Sequence, residues 1–251
     1  MALTRVPNPE SLVPSPESLF EAAAITRLER YQKISDLPSR LPVFPLRGAL
    51  LLPRGQLPLN IFEPRYLALI DDVLAGDRMI GILQPKLAQD TAESPAGKSV
   101  TLRTIGGAGR ITTLQETDDG RYLLTLTGIC RFKLTRELPL DKPYRVCQAD
   151  YAGFEADLQK GFGEEAVDRE HLLRTLKDYL ESQDLKADWD AITRSSNEFL
   201  VNALSMMSPY GPEEKQALLE APDLKARAEI LVALAEMQMA SPGDGSGSAI
   251  Q

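Results

Sequence analysis

The chain of 251 residues contains one histidine, His171, and only two cysteines, Cys130 and Cys147. A zinc site usually draws its ligands from several Cys and His side chains, so these three residues cannot supply the usual set. A Ser–His or Cys–His hydrolase would have to use His171, and the sequence has no Gly-x-Ser-x-Gly elbow. The sequence therefore offers no recognisable catalytic residue and no zinc-ligand set, and its acidic pairs are interpreted as solvated surface rather than as a magnesium site. No cofactor is expected.

Long apolar runs are also missing. No stretch approaches the length of a membrane span, and the N-terminus has one early arginine without a sustained apolar core. The two cysteines do not form a C-x-x-C pair and fall within or beside predicted strands. They are expected to be buried free thiols, and a cytoplasmic location without membrane contact is the resulting prediction.

The phosphate-binding motifs are incomplete. In the segment 92–99, Ala92 stands where a P-loop needs glycine, and Pro95 interrupts the loop. The pair Gly107 and Gly109 has Thr112 at the third glycine position of a dinucleotide fingerprint. We interpret the first segment as a surface loop and the glycines as a bend in a strand.

Charge is distributed unevenly within the net value of −8. Residues 152–251 contain 9 Lys and Arg against 19 Asp and Glu, a net charge of −10, whereas residues 41–151 contain 14 against 12, a net charge of +2. The acidic half argues against a grip on a phosphate backbone, and the slightly basic half gives little support for one. Nucleic acid is therefore not the expected partner.

The sequence is richest in apolar runs between Leu41 and Pro85. Short runs bounded by proline or glycine are typical of buried strands. Four are predicted here: Leu41 to Leu46, Ala49 to Leu52, Leu57 to Phe62, and Met79 to Leu83. Between the last two, Leu67, Ile70, Val73 and Leu74 recur at helical spacing, which predicts a helix from Pro64 to Ala75.

Strand patterns continue to residue 151. A turn at Asp118-Asp119-Gly120 predicts a hairpin, and Gly128 predicts a bulge or tight bend within the strand region that follows. The predicted strands are residues 100–111, 111–116, 121–127, 129–136 and 144–151. Short strands with hairpin connections and one helix indicate an antiparallel, partly closed barrel.

From residue 155 the apolar period changes to that of helices. Helices are predicted around Leu172 to Leu180, around Phe199 to Met207, from Pro212 to about Glu220, and from a cap at Asp223 onward. The fold class is therefore α+β, with a small helical bundle after the barrel. The predicted division is a tail at 1–40 with a short helix from Pro16 to Lys33, a barrel at 41–151, a bundle at 152–240 and a tail at 241–251.

Several of these segments resemble one known family. The order PVFPLRGALLLPRGQLPLNIFEPRY, a helix, IGILQP, IGGAGRI, LLTLTGICRFKL and SPYGPEEKQALLEAPDLKARAEILVAL is similar to the N-terminal domain of Lon proteases, over roughly Leu41 to Met239. That domain also occurs as a free-standing bacterial protein. The resemblance implies a PUA-like pseudobarrel, recognition of unfolded or tagged polypeptide, and support for protease assembly. It implies no ATPase or protease module for this chain.

The candidate partner-binding residues lie in the apolar stretch before the predicted helix. A strand with one solvent-exposed face buries only alternate residues, yet this stretch is apolar at nearly every position. Either both faces are covered, or some side chains form an exposed patch of the kind that marks an interaction site. The candidates are Leu50, Leu51, Leu52, Leu57, Leu59, Ile61 and Phe62.

Three further residues are predicted to be structural. Arg131 and Phe132 match the G-x-x-RF of the family, with Phe132 in the barrel core and Arg131 capping carbonyls or pairing with an acid such as Glu63. A direct ligand role for Arg131 is the alternative. Methionines at 206, 207, 237 and 239 fit either ordinary packing or an adaptable peptide surface.

These observations favour a non-catalytic module that binds polypeptide segments or a protein partner. Two alternatives stay open: an RNA-binding PUA-like module and a hydrolase without a recognisable motif. A homodimer is compatible with all three.

Overall fold

The computed structural model describes residues 28–86, 100–139 and 141–240. The first part of the chain holds six strands and one helix: β1 (Arg40–Pro45), β2 (Gln56–Ile61), α1 (Pro64–Leu74), β3 (Met79–Leu83), β4 (Ile105–Glu116), β5 (Tyr122–Leu138) and β6 (Arg145–Asp150). Five helices follow: α2 (Arg169–Ser182), α3 (Trp189–Arg194), α4 (Asn197–Met207), α5 (Pro212–Glu220) and α6 (Leu224–Ala240). Short 3₁₀ turns lie at Ile34–Asp36, Glu155–Leu158 and Glu164–Ala166.

Five of the strands close into a barrel. The order β5-β4-β3-β1-β6 returns to β5, because β5 also pairs with β6. All neighbours in this ring are antiparallel except β1 and β3, which run parallel because β2 and α1 intervene in the chain. The predicted α+β class with a barrel and helices is confirmed, with this one parallel pair added.

Besides β4, β5 pairs with two different strands along its length. Its first half, Tyr122 to Thr127, pairs with β2, and its second half, from Lys133, pairs with β6. The register against β4 shifts beside Gly128, since Gly109 pairs with Gly128 while Ala108 pairs with Cys130. This is the bulge predicted at Gly128. It lets β2 and the β4–β5 hairpin extend beyond the barrel as a three-stranded wing.

The predicted strand at Ala49 to Leu52 is wrong, because these residues form a loop between β1 and β2. The three leucines are nevertheless buried, with exposures of 2% for Leu50, 1% for Leu51 and 0% for Leu52. Leu51 packs with the sheet and α1, whereas Leu50 and Leu52 pack with the helical bundle. The apolar run therefore reflects a loop covered on both sides.

The residues just before β1 close one end of the barrel. Tyr31 and Leu37 are buried in the barrel core, with Leu28 and Ile34 packed against it. The helix predicted from Pro16 to Lys33 lies mostly outside the described residues, and the segment 92–99 and the C-terminal tail at 241–251 lie wholly outside them. Residue 28 has helical geometry and turns follow it.

Side-chain caps begin several of the helices, and the cap predicted at Asp223 is one of them. Asp168 accepts a hydrogen bond from the His171 amide at the start of α2, and Ser196 accepts one from Phe199 at the start of α4. Asp223 accepts one from the Ala226 amide at the start of α6. The short helix α3 was not predicted from the periodicity. Among the described residues, no helix is long and apolar enough to cross a bilayer.

Candidate functional site

The loop from Leu50 to Leu52 lies in the seam between barrel and bundle. Its main chain passes directly over two glycines of the sheet. A Cβ atom on Gly107 would collide with the Leu51 carbonyl oxygen, and one on Gly128 would collide with the Leu52 carbonyl oxygen. The glycines of β4 and β5 therefore provide the close approach that seats the loop on the barrel.

Polar side chains fasten the same loop to α4. Arg54, which adopts a left-handed φ of 62°, donates from Nε to Glu198 Oε1 at 2.7 Å and from Nη1 to the Asp157 carbonyl at 2.8 Å. Glu198 also accepts the Gly161 amide at 2.8 Å. Asn202 Nδ2 donates to the Pro53 carbonyl at 3.2 Å. The sequence signal for this network is weak, because Arg54 and Glu198 are 144 positions apart.

A second ion pair lies deeper in the molecule, and both of its side chains are buried. Arg131 Nε lies 2.9 Å from Asp157 Oδ2, and Arg131 Nη2 lies 2.9 Å from Asp157 Oδ1. Nη1 of Arg131 donates to the carbonyls of Leu219 and Ala221 at the end of α5. The predicted carbonyl capping is confirmed, and the acidic partner is Asp157. Glu63 is instead bonded to Arg65.

Phe132 is fully buried in the barrel core, as predicted. Two neighbouring thiols share that core, and burial raises the pKa of each: Cys147 to about 12, and Cys130 well above its ordinary value. Both cysteines are free.

His171, on the surface of α2, has Nε2 3.4 Å from Glu236 Oε1. Among the described residues, no three His, Cys, Asp or Glu side chains converge as a metal site.

The seven partner-binding candidates separate into three groups. Leu50, Leu51, Leu52 and Ile61 are buried, so they cannot contact a partner in this conformation. Leu57 and Leu59 are half-buried and pack against the sheet–α1 cluster. Phe62 is 61% exposed at the end of β2.

β2 is an edge strand of the described sheet, paired only with β5. The Gly128 amide donates to the Gly55 carbonyl at 2.8 Å, which fixes the alternation of the ladder. Residues 57, 59 and 61 then direct their main-chain groups to β5, and residues 56, 58 and 60 direct theirs outward. Pro58 falls on the outward side, where its missing N–H costs no ladder bond.

Apolar side chains lie at both ends of this edge, and further exposed ones lie on α4. At the far end is Phe62, with the Arg121 guanidinium 6.0 Å from its ring centre. At the near end, Met206 of α4 packs against Gly55 and both apolar clusters. Its neighbour Met207 is 81% exposed, and Phe199 on the same helix is 64% exposed. Sequence reasoning singled out the methionines as one possible peptide surface but gave no position for them.

A closed barrel with an edge strand, joined to a helical half across a seam, makes the protein an α+β domain. The structure resembles a Lon N-terminal domain protein from Xanthomonas campestris, with a TM-score of 0.55, 23% identity, and coverage of 78% of this chain and 98% of that one. The N-terminal domain of a Mycobacterium avium complex Lon protease gives a TM-score of 0.56 at 16% identity, with the same coverages. These likenesses establish the fold.

The family follows from the sequence. Residues 40–236 match the model of the ATP-dependent protease La (LON) substrate-binding domain, and the chain belongs to this family. Lon protease 2 of Myxococcus xanthus is 29% identical over 202 residues, and the Lon protease of Anaeromyxobacter dehalogenans is 28% identical over 202 residues. Each alignment covers 79% of this chain, but only 24% and 23% of the two relatives. The chain thus spans about a quarter of the relatives' length.

Proposed function

We propose that this protein binds extended, unfolded polypeptide segments along the outer edge of β2. The observation that carries the proposal is the arrangement of this edge. The strand has no outer neighbour among the described residues, exposed Phe62 follows its end, and α4, which carries exposed Met207, packs through Met206 against Gly55 at its start. An extended segment can lie along such an edge and place apolar side chains against Phe62 at one end and Met207 at the other. Methionine suits this role because its flexible side chain adapts to varied sequences.

Pro58 limits what the edge can pair with. It offers a carbonyl but no amide, so a long regular strand cannot form a continuous ladder there. The same residue opposes edge-to-edge pairing between two copies of the protein. The proposal therefore assigns most of the binding free energy to side-chain contacts and little to main-chain hydrogen bonds.

Membership of the LON substrate-binding family supports a polypeptide as the ligand, since the family's name describes substrate binding. We propose further that the chain acts by binding alone, in the cytoplasm, and does not itself hydrolyse ATP or peptides. Support comes from the sequence, in which Ala92 stands in place of the P-loop glycine. RNA binding has the weaker support of a net charge of +2 over residues 41–151.

The test compares two pairs of exposed apolar residues that lie at different positions on the surface. A reduced and alkylated globular protein, labelled with fluorescein, is titrated with wild type and with the variant Phe62→Ser/Met207→Ser, and anisotropy gives Kd. Removing two apolar contacts worth about 1.5 kcal/mol or more each predicts a Kd at least ~10-fold higher.

ATP and casein assays on the same samples test the absence of catalysis, with Lys98→Ala as the control.

The matched control is Leu185→Ser/Trp189→Ser, which alters exposed apolar residues outside the β2 edge, at 55% and 36% exposure. Its Kd should equal that of wild type. Equal losses in the two variants would make binding a general property of exposed apolar surface and refute the assignment to β2. Unchanged binding in the β2 variant, with an unchanged melting temperature, would also refute it.

A further inference from the structure

Helix α4 turns several side chains to the opposite side from the one expected of a surface helix. Such a helix normally directs apolar side chains to the core and polar ones to solvent. In α4 the polar residues Glu198, Asn202 and Ser205 are buried. Two large apolar residues of the same helix, Phe199 and Met207, are 64% and 81% exposed. The solvent-facing side of α4 is therefore apolar.

The outward apolar residues share one face of the helix. Positions 199, 203 and 207 follow one another at intervals of four, and position 206 lies three after 203, which brings all four side chains to one side. They form what is here termed the α4 face: Phe199, Ala203, Met206 and Met207. Glu198 is the single charged residue of α4, and it is buried against Arg54. An exposed apolar face without a charge is typical of an interaction site.

Phe162 enlarges this face at the start of the helix. The Gly161 amide donates to Glu198 Oε2 at 2.8 Å, and the Glu198 amide donates to Glu164 Oε1 at 2.7 Å. These bonds hold the segment 161–164 against the first turn of α4, which contains Phe199. Phe162 lies within the segment and is 57% exposed. Two exposed phenylalanines therefore lie at the same end of the helix.

The α4 face continues from the β2 edge toward the barrel. The last turn of α4 lies at the start of β2, because Met206 packs against Gly55. The first turn lies away from the wing, because Glu198 is joined through the Arg54 side chain to the Asp157 carbonyl beside the barrel half of β5. A chain that follows β2 back to its start therefore meets the α4 face next.

The two surfaces together have the length of about ten extended residues. Seven strand positions separate Gly55 from Phe62, which is about 23 Å at roughly 3.3 Å per residue. Seven helical positions separate Met206 from Phe199, which is about 10 Å at roughly 1.5 Å per residue. An extended chain of about ten residues covers the resulting ~33 Å.

The exposed area favours one polypeptide segment over a second copy of the protein. A large apolar side chain can bury about 150–250 Å², so the exposed parts of Phe162, Phe199 and Met207 offer roughly 400 Å². Specific protein interfaces bury about 800 Å² on each partner. The patch is too small to hold a stable dimer by itself, whereas a segment that already lies on β2 gains contact simply by continuing onto it.

We propose that the polypeptide bound along β2 continues over the α4 face to Phe162. The ligand is then an extended, apolar-rich segment of about ten residues or more, and a segment of six residues fills only part of the site. This inference rests on the proposed function and adds to it the length of the ligand and a second contact region. Because the α4 face carries no charge, apolar side chains of the ligand are favoured there over charged ones.

The test uses two fluorescein-labelled peptides of 6 and 12 residues, each with alternating leucine and serine and two terminal lysines. Anisotropy titrations give Kd for wild type and for Phe162→Ser/Phe199→Ser. This variant should bind the 12-residue peptide at least ~10-fold more weakly than wild type does, because two apolar contacts are lost. The Kd of the 6-residue peptide, which β2 alone can hold, should change less than ~2-fold.

Two further variants complete the design. The matched control is Leu185→Ser/Met237→Ser, which alters residues that are 55% and 66% exposed outside both surfaces and should leave both Kd values unchanged. Phe62→Ser should weaken binding of both peptides, because it alters the β2 end of the site. Melting temperatures equal to that of wild type confirm that each variant is folded.

Each other pattern of results overturns the inference in a distinct way. Weaker binding of the 12-residue peptide in Phe62→Ser but not in Phe162→Ser/Phe199→Ser would remove the extension and leave the β2 site in place. The reverse pattern would make the α4 face a separate site, and unchanged binding in both would refute the β2 assignment as well. A dimer in sedimentation velocity that Phe162→Ser/Phe199→Ser dissociates would assign the α4 face to a second copy.

Discussion

Arg131 and Asp157 show how one residue pair can join distant parts of a chain. The side chains are 4% and 7% exposed, and the guanidinium also satisfies two carbonyls at the end of α5. A buried ion pair is not automatically stabilising, since both ions lose their hydration. Its value depends on complete hydrogen bonding, and Asp157 additionally accepts the Arg131 amide at 2.8 Å.

Replacing Arg131 by alanine should therefore destabilise the protein, because the polar groups that Arg131 binds would stay buried without a partner. Asp157 would stay buried without a cation, and the Leu219 and Ala221 carbonyls would lose their donor. The expected loss in the free energy of unfolding is about 3–5 kcal/mol, measured by urea denaturation. Arg174→Ala is the control, because its ion pair with Glu170 is exposed, at 61% and 87%, and it should cost about 1 kcal/mol or less. Similar losses in both variants would contradict this account.

Arg227 is also buried and charged, but it is held by a main-chain carbonyl and an amide oxygen rather than by a carboxylate. It is 4% exposed and donates to the Leu218 carbonyl and to Asn202 Oδ1, while its Nη2 has no partner among the described residues. Burial lowers the pKa of Arg227 to about 10, with the Arg131 charge acting in the same direction. The side chain is still protonated at neutral pH. It holds α6 to α5 and α4 by hydrogen bonds rather than by an ion pair.

At the scale of elements, periodicity identified most strands and helices but not how β5 is shared. The alternation of Leu124 and Leu126 predicts a strand, and Gly128 predicts its bulge. Nothing local shows that the strand pairs with β2 before Gly128 and with β6 after it, because pairing depends on distant sequence. The strand predicted from Ala49 to Leu52 was wrong for a related reason. A loop that is buried on both sides has the same apolar composition as a buried strand.

The candidate site was predictable in part. The apolar excess before α1 pointed to the stretch that contains β2 and Phe62, where the polypeptide site is proposed. It could not distinguish buried leucines from exposed ones, because Leu50 and Leu52 are covered by helices more than 100 residues later in the sequence. The sequence also could not identify Asp157 as the partner of Arg131. The two residues are 26 positions apart, and one lies in a strand while the other lies in a 3₁₀ turn.

Gly128 offers a test of how the loop is seated. Gly128→Ala places a methyl group where the Leu52 carbonyl lies, so the loop or the strand has to move. The expected cost is about 1–3 kcal/mol in the free energy of unfolding, measured by urea denaturation. Gly76→Ala is the control, since its Cβ would meet its nearest atom, the Val73 carbonyl oxygen, at an ordinary 3.8 Å. Equal stability of the two variants would show that the loop yields without cost.

At the scale of the whole molecule, the seam makes one unit of two differently built halves. Leu50 and Leu52 belong to a loop between two barrel strands but lie in the apolar core of the bundle. Met206 contacts the apolar clusters on both sides of the seam. Gln84 donates to the Pro212 carbonyl and to Gln216, and Gln216 donates to the Ile105 carbonyl. Each buried polar group would lose its partner if the halves separated, which penalises partial opening.

Barrel and bundle should therefore unfold together, and the protein carries a natural probe in each. Trp189, the single tryptophan, reports on the bundle by fluorescence, and the buried thiols of Cys130 and Cys147 report on the barrel by pulsed labelling. Across a urea series the two midpoints should coincide, as two-state unfolding requires. Glu198→Ala, which removes the acceptor of Arg54, should lower both midpoints together, whereas Glu170→Ala, in an exposed pair with Arg174, should change neither. Thiols that become reactive at a urea concentration where Trp189 still shows its native signal would contradict a single cooperative unit and make the seam a hinge.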